Sequence, residues 1–341
     1  MAKSSRQILD ALIEKLQPVL RDAFFVAVQG ITNNVILKDL IKAIEQQDYE
    51  RAFRTLGFSD AAMRPITRAI ENIFEQGGDA TGSTFPKVLN TPDGRTIFRF
   101  DVRNVRAENW IKQQSGTLIT NIGEDIRVNV RNLMTIGLQT GNNPRDTALS
   151  IVGYIDPATG NRTGGIIGLN QPQELWVRNA TFDLQNLDPR YFNRVRRDRR
   201  FDSIVQRAID TNTNLDQSTI TKLINRYKDN LLKLRGETVA RTETIQSLNR
   251  SEYEAYKQAI DMGATASKNV GKVWDTAGDD RVRDDHADME GQTVNIDEPF
   301  IAPDGSRLMF PGDVSLGAAA GEVINCRCKS RFKVDWLADI D

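Results

Sequence analysis

The chain has 341 residues, 27% of them charged and 39% hydrophobic, with a formal net charge of −1. This composition predicts a folded protein of two or three domains and argues against a bulk nucleic-acid binder, which carries a clear basic excess. No apolar run approaches the length of about 18 residues that a membrane helix needs, and the opening MAKSSRQILDALIEKL carries charge through its apolar stretch, so neither a membrane span nor a signal peptide is expected and the chain reads as one made in a cytoplasm.

In chain order, residues 4–76 read as helices. Ile8, Leu9, Leu12, Ile13 and Leu16 recur at three-to-four spacing, and Pro18 is expected to kink or divide this first helix. Ile36, Leu40, Ile41 and Ile44 repeat the pattern; Tyr49, Phe53 and Leu56 follow and stop at Gly57; Ile66, Ile70 and Phe74 make a further helix, expected to stop at Gly77-Gly78. Such stripes fit an ordinary helical core or a docking face for a partner helix. A hairpin is predicted near 86–102 around Thr91-Pro92-Asp93-Gly94, with Lys87 to Asn90 and Arg95 to Phe100 as its arms. A long helix is predicted from about Val105 to Leu138, ended by Gly141-Asn142-Asn143-Pro144, and residues 153–172 read as a Gly-, Asn- and Pro-rich loop.

Arg190, Arg194, Arg196, Arg197, Arg199, Arg200 and Arg207 form the strongest charge cluster, and against Asp198 and Asp202 the local excess is five. It suits DNA phosphates or an acidic protein surface, and equally a solvated helix face. Residues 216–262 predict two helices divided near Arg235-Gly236, the second ending at Gly263. Beyond them lie short strand-like pieces from about Lys268 to Trp336, with no internal repeat. The predicted class is α+β: a large, mostly helical region over 1–235 and a small α+β domain over 236–341.

His286 is the single histidine, and Cys326 and Cys328 are the only cysteines. That excludes a two-histidine zinc peptidase, a three-histidine metal site and a disulfide framework. No phosphate-binding Gly-x-x-x-x-Gly-Lys-Ser/Thr loop, no Gly-x-Gly-x-x-Gly and no Gly-x-Ser-x-Gly is present.

The C-terminal third carries an ordered set of pieces: Ala240-Arg241-Thr242-Glu243 with Asn249, then Val273-Trp274-Asp275, Asp280-Arg281-Val282-Arg283-Asp284-Asp285-His286, Gly291, Phe300, Pro311-Gly312-Asp313 and Asn325-Cys326-Arg327-Cys328. Single pieces are weak signals; the whole set in order is a strong one. Over roughly residues 235–335 it resembles the phage Mu F-type head-morphogenesis domain, also called the phage minor head protein domain. The helical stretch before it is similar to that family's usual layout, without a diagnostic residue. The resemblance implies a virion structural protein rather than an enzyme: a minor head component near the portal vertex, in the phage head after synthesis in the host cytoplasm, acting in head (capsid) assembly, packaging or viral genome delivery. The implied partners are the portal and/or the major capsid protein, with DNA as a further candidate and neither a membrane nor a small-molecule substrate. The family brings no catalytic residues to carry over.

The same residues also have a physical reading. If Cys326 and Cys328 lie in a strand, positions i and i+2 share a face and Arg327 points away. With His286 as a third ligand, the two thiols would suit a tetrahedral zinc ion, with water or a carboxylate from Asp284, Asp285 or Asp313 as the fourth. The alternative is two cysteines acting as small core residues and a histidine hydrogen-bonded in a turn; no cofactor is certain. Arg241, Glu243, Arg281 and Arg283 are candidates for structural ion pairs. Two other functional readings stand beside the structural one: a DNA-binding protein ejected with the genome, and a metal-dependent hydrolase or transferase built on Glu243, His286 and Asp275.

Overall fold

The computed structural model describes residues 5–336 and 338. In chain order the elements are α1 (Ser5–Asn33), α2 (Leu37–Glu45), α3 (Tyr49–Thr55), α4 (Asp60–Gly82), the pair β1 (Leu89–Thr91) and β2 (Gly94–Thr96), α5 (Val105–Gln139), α6 (Pro144–Val152), the short pair β3 (Tyr154–Ile155) and β4 (Arg162–Thr163), α7 (Gln171–Gln185), α8 (Asp202–Asp210) and α9 (Gln217–Asp261). The C-terminal part adds β5 (Val270–Asp275), α10 (Asp284–Asp288), β6 (Thr293–Asn295), β7 (Phe300–Ile301), β8 (Arg307–Leu308), α11 (Ala320–Val323) and β9 (Lys329–Val334). The chain is therefore mostly helical with a small α+β C-terminal region. Among the described residues no single helix is long and apolar enough to cross a membrane.

The helix starts follow local chemistry. Asp48 caps α3 by accepting from Arg51 N (2.9 Å). Asn143 caps α6 with Pro144 behind it, and Asn170 with Gln173 forms a reciprocal capping box on α7. The hairpin is shorter than predicted: Thr91 pairs with Gly94 and Leu89 with Thr96, so Ile97 to Phe100 leave the ladder. Phe98 and Phe100 instead pack into aromatic clusters, Phe98 against Phe85 and Phe100 against Phe74.

Two predicted helix breaks are absent, and of the kink or division expected at Pro18 the division is absent: α1 runs undivided through it. α4 continues through Gly77-Gly78 because those positions are where neighbours come closest: a methyl on Gly77 would strike the Ser251 side chain, and one on Gly78 the Phe100 ring. α9 is one helix of 45 residues, not two. At Gly236 a Cβ would meet Phe25 Cζ at 2.7 Å, so this glycine marks a tight approach and not a break. A mid-helix glycine costs only about 1 kcal/mol against alanine, less than overpacking does. The end of α9 falls at Gly263, in the left-handed region at φ +75, where glycine alone is unstrained.

The chain divides into two compact units. One comprises residues 24–65 and 116–237; its core gathers Ile166, Leu169, Val177, Leu184, Tyr191, Val205, Leu223 and Leu231 from α7, the 3-10 turn Pro189–Asn193, α8, the first half of α9 and the loop before α7. Within it, buried Lys228 donates to the carbonyls of Ser150 (3.3 Å) and Gly164 (3.1 Å), fastening the 153–172 segment to α9.

The other unit comprises 1–23, 66–115 and 238–341. Its sheet has the order β6-β5-β9, antiparallel throughout, with Val273 opposite Thr293 and Trp274 opposite Ser330. The second half of α9 covers it: the Tyr256 ring stacks on Phe332 at 4.2 Å. A separate apolar nucleus holds Trp274, Met289, Phe300, Ala302, Leu308, Cys326 and Cys328. The candidate site sits on the edge of this nucleus.

Candidate metal centre

The site is assembled by one face of α9. Thr242, Gln246 and Asn249, at i, i+4 and i+7, are buried polar residues on a stretch of α9 where Thr244, Ser247, Arg250 and Ser251 are buried as well. Each reaches a backbone group of a loop: Thr242 Oγ1 accepts from Asn325 N (3.0 Å), Gln246 Nε2 donates to Gly312 O (2.7 Å), and Asn249 Nδ2 donates to Pro311 O (2.9 Å) and Cys328 O (3.1 Å). Gly312, at φ +90, lies so close to Gln246 that a Cβ would sit 2.7 Å from Cγ. Asp313 accepts from Met309 N (2.8 Å) and from Ser315 N (2.9 Å) and Oγ (3.0 Å), which closes the turn. The Pro-Gly-Asp and Asn-Cys-Arg-Cys pieces are thus two loops held side by side by three side chains of one helix.

His286 projects from the short helix α10, and the Cys326–Cys328 stretch follows α11 and leads into β9. The structure brings the three residues together. Nδ1 of His286 lies 3.6 Å from Cys326 Sγ and 3.4 Å from Cys328 Sγ, and all three side chains are buried. On the other side of the ring, Nε2 lies 2.9 Å from Glu322 Oε2. The face of the imidazole is flanked by the Trp274 indole, edge-on at 5.3 Å. Cys326 Sγ accepts from Cys328 N at 3.4 Å.

The cysteines do not lie in a strand as expected, since β9 begins at Lys329. The Cys328 N–H serves the Cys326 sulfur instead of a ladder, and Asn325, at φ +58, turns the chain just before it. Both sulfurs still face one way. Arg327 points elsewhere and clasps Asp279 (2.6 Å). Asp284, Asp285 and Asp313 do not join the cluster, which among the described residues comprises His286, Cys326 and Cys328 alone. Asp313 is spent on its own turn.

The electrostatics are those of a shared proton. The Cys328 thiol beside Cys326 holds the Cys326 sulfur well below the usual thiol range, with His286 and the Cys328 N–H acting the same way. Cys328 is pushed up by that neighbouring thiolate and by burial. Burial works to lower His286, but Cys326 and Glu322 outweigh it and hold the imidazole above its ordinary value. The buried Trp274 Nε1–H has no oxygen or nitrogen acceptor among the described residues. It favours the charged form of the Cys328 sulfur.

Chemically, a thiolate, an imidazole and a carboxylate in line could be a nucleophile triad or a metal site. His286, Cys326 and Cys328 are 1–2% exposed and Glu322 5%, a burial that suits a metal site or a hydrogen-bonded part of the core better than a nucleophile, which needs an opening to its substrate.

The remaining predicted residues scatter. Buried Glu243 accepts from Gln114 Nε2 (2.7 Å); half-buried Arg241 has no ion pair among the described residues. Arg281 pairs with Asp279 (3.1 Å) at the surface, and Arg283 donates to Ile324 O. Asp275 pairs with Arg6 (2.9 Å), and no hydrogen bond or ion pair connects it to His286. In the arginine cluster, Arg194 bridges to Asp183 (2.5 Å), Arg197 to Asp202 (2.8 Å), Arg190 to Asp188 (2.6 Å) and Arg200 to Asp198 (2.6 Å). Arg196 and Arg199 are exposed without an ion pair among the described residues.

Sequence reading missed Glu322, Thr242 and Gln246. A signal for the last two exists: polar residues at helical spacing with Asn249 on a helix that must be buried. Glu322 carries none, because its role depends on where α11 falls in space.

Residues 205–331 match the family model described as Phage Mu protein F like protein. The match begins 30 residues before the ordered motifs were seen to start, taking in most of α8 and all of α9. Uncharacterized protein YqbB of Bacillus subtilis (strain 168) is 32% identical over 97 residues, which is 28% of this chain and 29% of that protein. NAD(+)--arginine ADP-ribosyltransferase EFV of Enterococcus faecalis (strain ATCC 700802 / V583) is 29% identical over 100 residues, 29% of this chain and 19% of that protein. The matched stretch is therefore less than a third of either relative. No solved structure matches the chain.

Proposed function

We propose, on the premise that residues 205–331 form a Phage Mu F-like region, that the chain is a structural protein of a phage head. In this reading it is a minor head component, present in few copies near the portal vertex, where it acts in head assembly, genome packaging or genome delivery. Its partners are then the portal and/or the major capsid protein.

The observation that carries this reading is the use to which the family's ordered residues are put. Of the ordered set, Asp280, Arg281, Asp284 and Asn325 lie at the surface, whereas Thr242, Asn249, Trp274, Gly312, Asp313, Cys326 and Cys328 face inward and fasten loops to α9 or fill the nucleus, with His286 buried beside Trp274. A site that turned over a substrate would present at least some of them to a cleft. The likeness to an ADP-ribosyltransferase spans 19% of that protein and is read here as a shared region without the transferase activity. Incubation of the purified chain with NAD+ and an arginine-bearing acceptor is accordingly expected to give no transfer.

Quantitative mass spectrometry of purified particles tests the reading. The expected result is the chain in mature or precursor heads at a copy number well below that of the major capsid protein. Its absence from both kinds of head overturns the reading.

A further inference from the structure

Outside the family reading, the centre of the C-terminal unit carries a second inference that stands on its own geometry. We propose that His286 Nδ1, Cys326 Sγ and Cys328 Sγ bind one zinc ion, with Glu322 orienting the imidazole from behind and a water completing the tetrahedron.

Distances come first. Zinc bonds of about 2.05 Å to nitrogen and about 2.3 Å to sulfur, at a tetrahedral angle, place the nitrogen and each sulfur about 3.6 Å apart. The two separations in the structure are 3.6 and 3.4 Å. Both fall at the ligand spacing of a zinc site.

Valence comes second. Nε2 lies 2.9 Å from the Glu322 carboxylate, which turns Nδ1 to the sulfurs; Nδ1 offers one position, a lone pair or an N–H, and two sulfurs converge on it. A single hydrogen bond at Nδ1 accounts for one of them; a cation between all three accounts for both. The carboxylate behind the imidazole is the arrangement by which proteins fix the tautomer of a metal-bound histidine and raise its basicity.

The surroundings come third. Cys328 N–H donates to the Cys326 sulfur at 3.4 Å. A donor to buried sulfur stabilises thiolate, the form that a metal binds. Loading is proton-balanced: the two protons shared among Cys326, Cys328 and Nδ1 of His286 leave to solvent, and the imidazole binds neutral. The three ligands come from α10 and from the stretch between α11 and β9, segments with few residues in regular structure. An ion there would pin them to the Trp274 nucleus, as small loop-rich units commonly need.

The test uses the full chain. Purified protein is stripped with a chelator under reducing conditions, given one equivalent of cobalt(II) in place of zinc, and read by absorption spectroscopy. Zinc retained after desalting is measured in parallel. The expected result is an intense thiolate-to-cobalt absorption with the visible bands of a tetrahedral ion, and one zinc per chain after reconstitution. Glu322→Gln is expected to fold and to bind zinc 10- to 100-fold more weakly, and Cys328→Ser to lose the thiolate bands. Folded wild-type protein that retains no zinc and gives no thiolate-to-cobalt band overturns the proposal. So does retention of zinc with undiminished bands in Cys328→Ser. Because the measurement uses no particle, its failure leaves the head reading untouched, and the reverse holds as well.

Discussion

Nε2 of His286 lies 2.9 Å from Oε2 of Glu322, with both side chains buried. This contact decides which ring nitrogen faces the sulfurs, and it is made by residues 36 positions apart on two short helices. In metal-free protein, Glu322→Ala leaves the imidazole N–H buried without an acceptor. The expected loss of stability is about 1–3 kcal/mol, and Glu322→Gln, which keeps an acceptor oxygen, should lose less. Urea denaturation of the two variants in the presence of chelator checks the order; equal losses would contradict it.

Glycine-to-alanine changes should separate by what the methyl would meet. At Gly236 it meets Phe25 Cζ at 2.7 Å and Phe24 Cδ1 at 3.3 Å, whereas at Gly116, exposed in the middle of α5, nothing lies within 4 Å. Gly116→Ala is expected to stabilise by about 0.5–1 kcal/mol through helix propensity. Gly236→Ala is expected to destabilise by about 1–3 kcal/mol through overpacking. Thermal unfolding of the pair measures both signs.

Lys272 on β5 is fully buried, donating to Ile296 O (3.0 Å) and Met309 O (2.7 Å) between the rings of Tyr253 and Phe300. Burial lowers its pKa from 10.5 to about 7. Between those values the unfolded chain holds the proton and the folded chain has released it, so the group's contribution rises with pH. It is complete above about 10.5 and lost as pH falls through about 7. The unfolding free energy of wild-type protein from urea titration, compared with that of Lys272→Met, is therefore expected to improve between pH 7 and pH 10, by up to a few kcal/mol. A pH-independent difference between the two proteins would contradict this.

The arginine cluster should split into two groups. Arg194 and Arg197 are mostly buried against Asp183 and Asp202, and Arg197 also donates to Arg194 O (3.2 Å). Changing either to Gln is expected to cost stability, about 1–3 kcal/mol, because a partner carboxylate loses its charge-assisted bond. Arg196→Gln with Arg199→Gln should stay within about 0.5 kcal/mol of wild type. If the exposed pair contacts DNA, the same double change also flattens the dependence of DNA affinity on salt. An unchanged slope leaves the solvated face or a protein partner.

The sequence carried the helical half of the fold plainly. The apolar stripe of Ile111, Leu118, Ile119, Ile122, Ile126, Val130 and Leu133 defines one side of α5; Ile119 and Leu133 are partly buried and the others fully. Gly263 ends α9 as its position demands. The breaks read at Gly77-Gly78 and at Gly236 failed for one reason: a glycine needed for close approach looks the same in sequence as one needed for a turn, and only the partners, Phe100 and Phe25, tell them apart. His286, Cys326 and Cys328 were legible as a group because they exhaust their residue types. Glu322 was not, since one glutamate among many is marked only by α11 placing it behind the ring. The strand expected at the cysteines was displaced by one hydrogen bond, Cys328 N to Cys326 Sγ.

The central claim, that the chain is built into a phage head beside the portal, is tested most directly by an asymmetric reconstruction of the particle centred on the portal vertex. The account predicts density there that fits the 45-residue helix α9 with the β6-β5-β9 sheet against its second half. A well-resolved vertex with every density assigned to other chains, in particles that mass spectrometry finds free of this one, would contradict it.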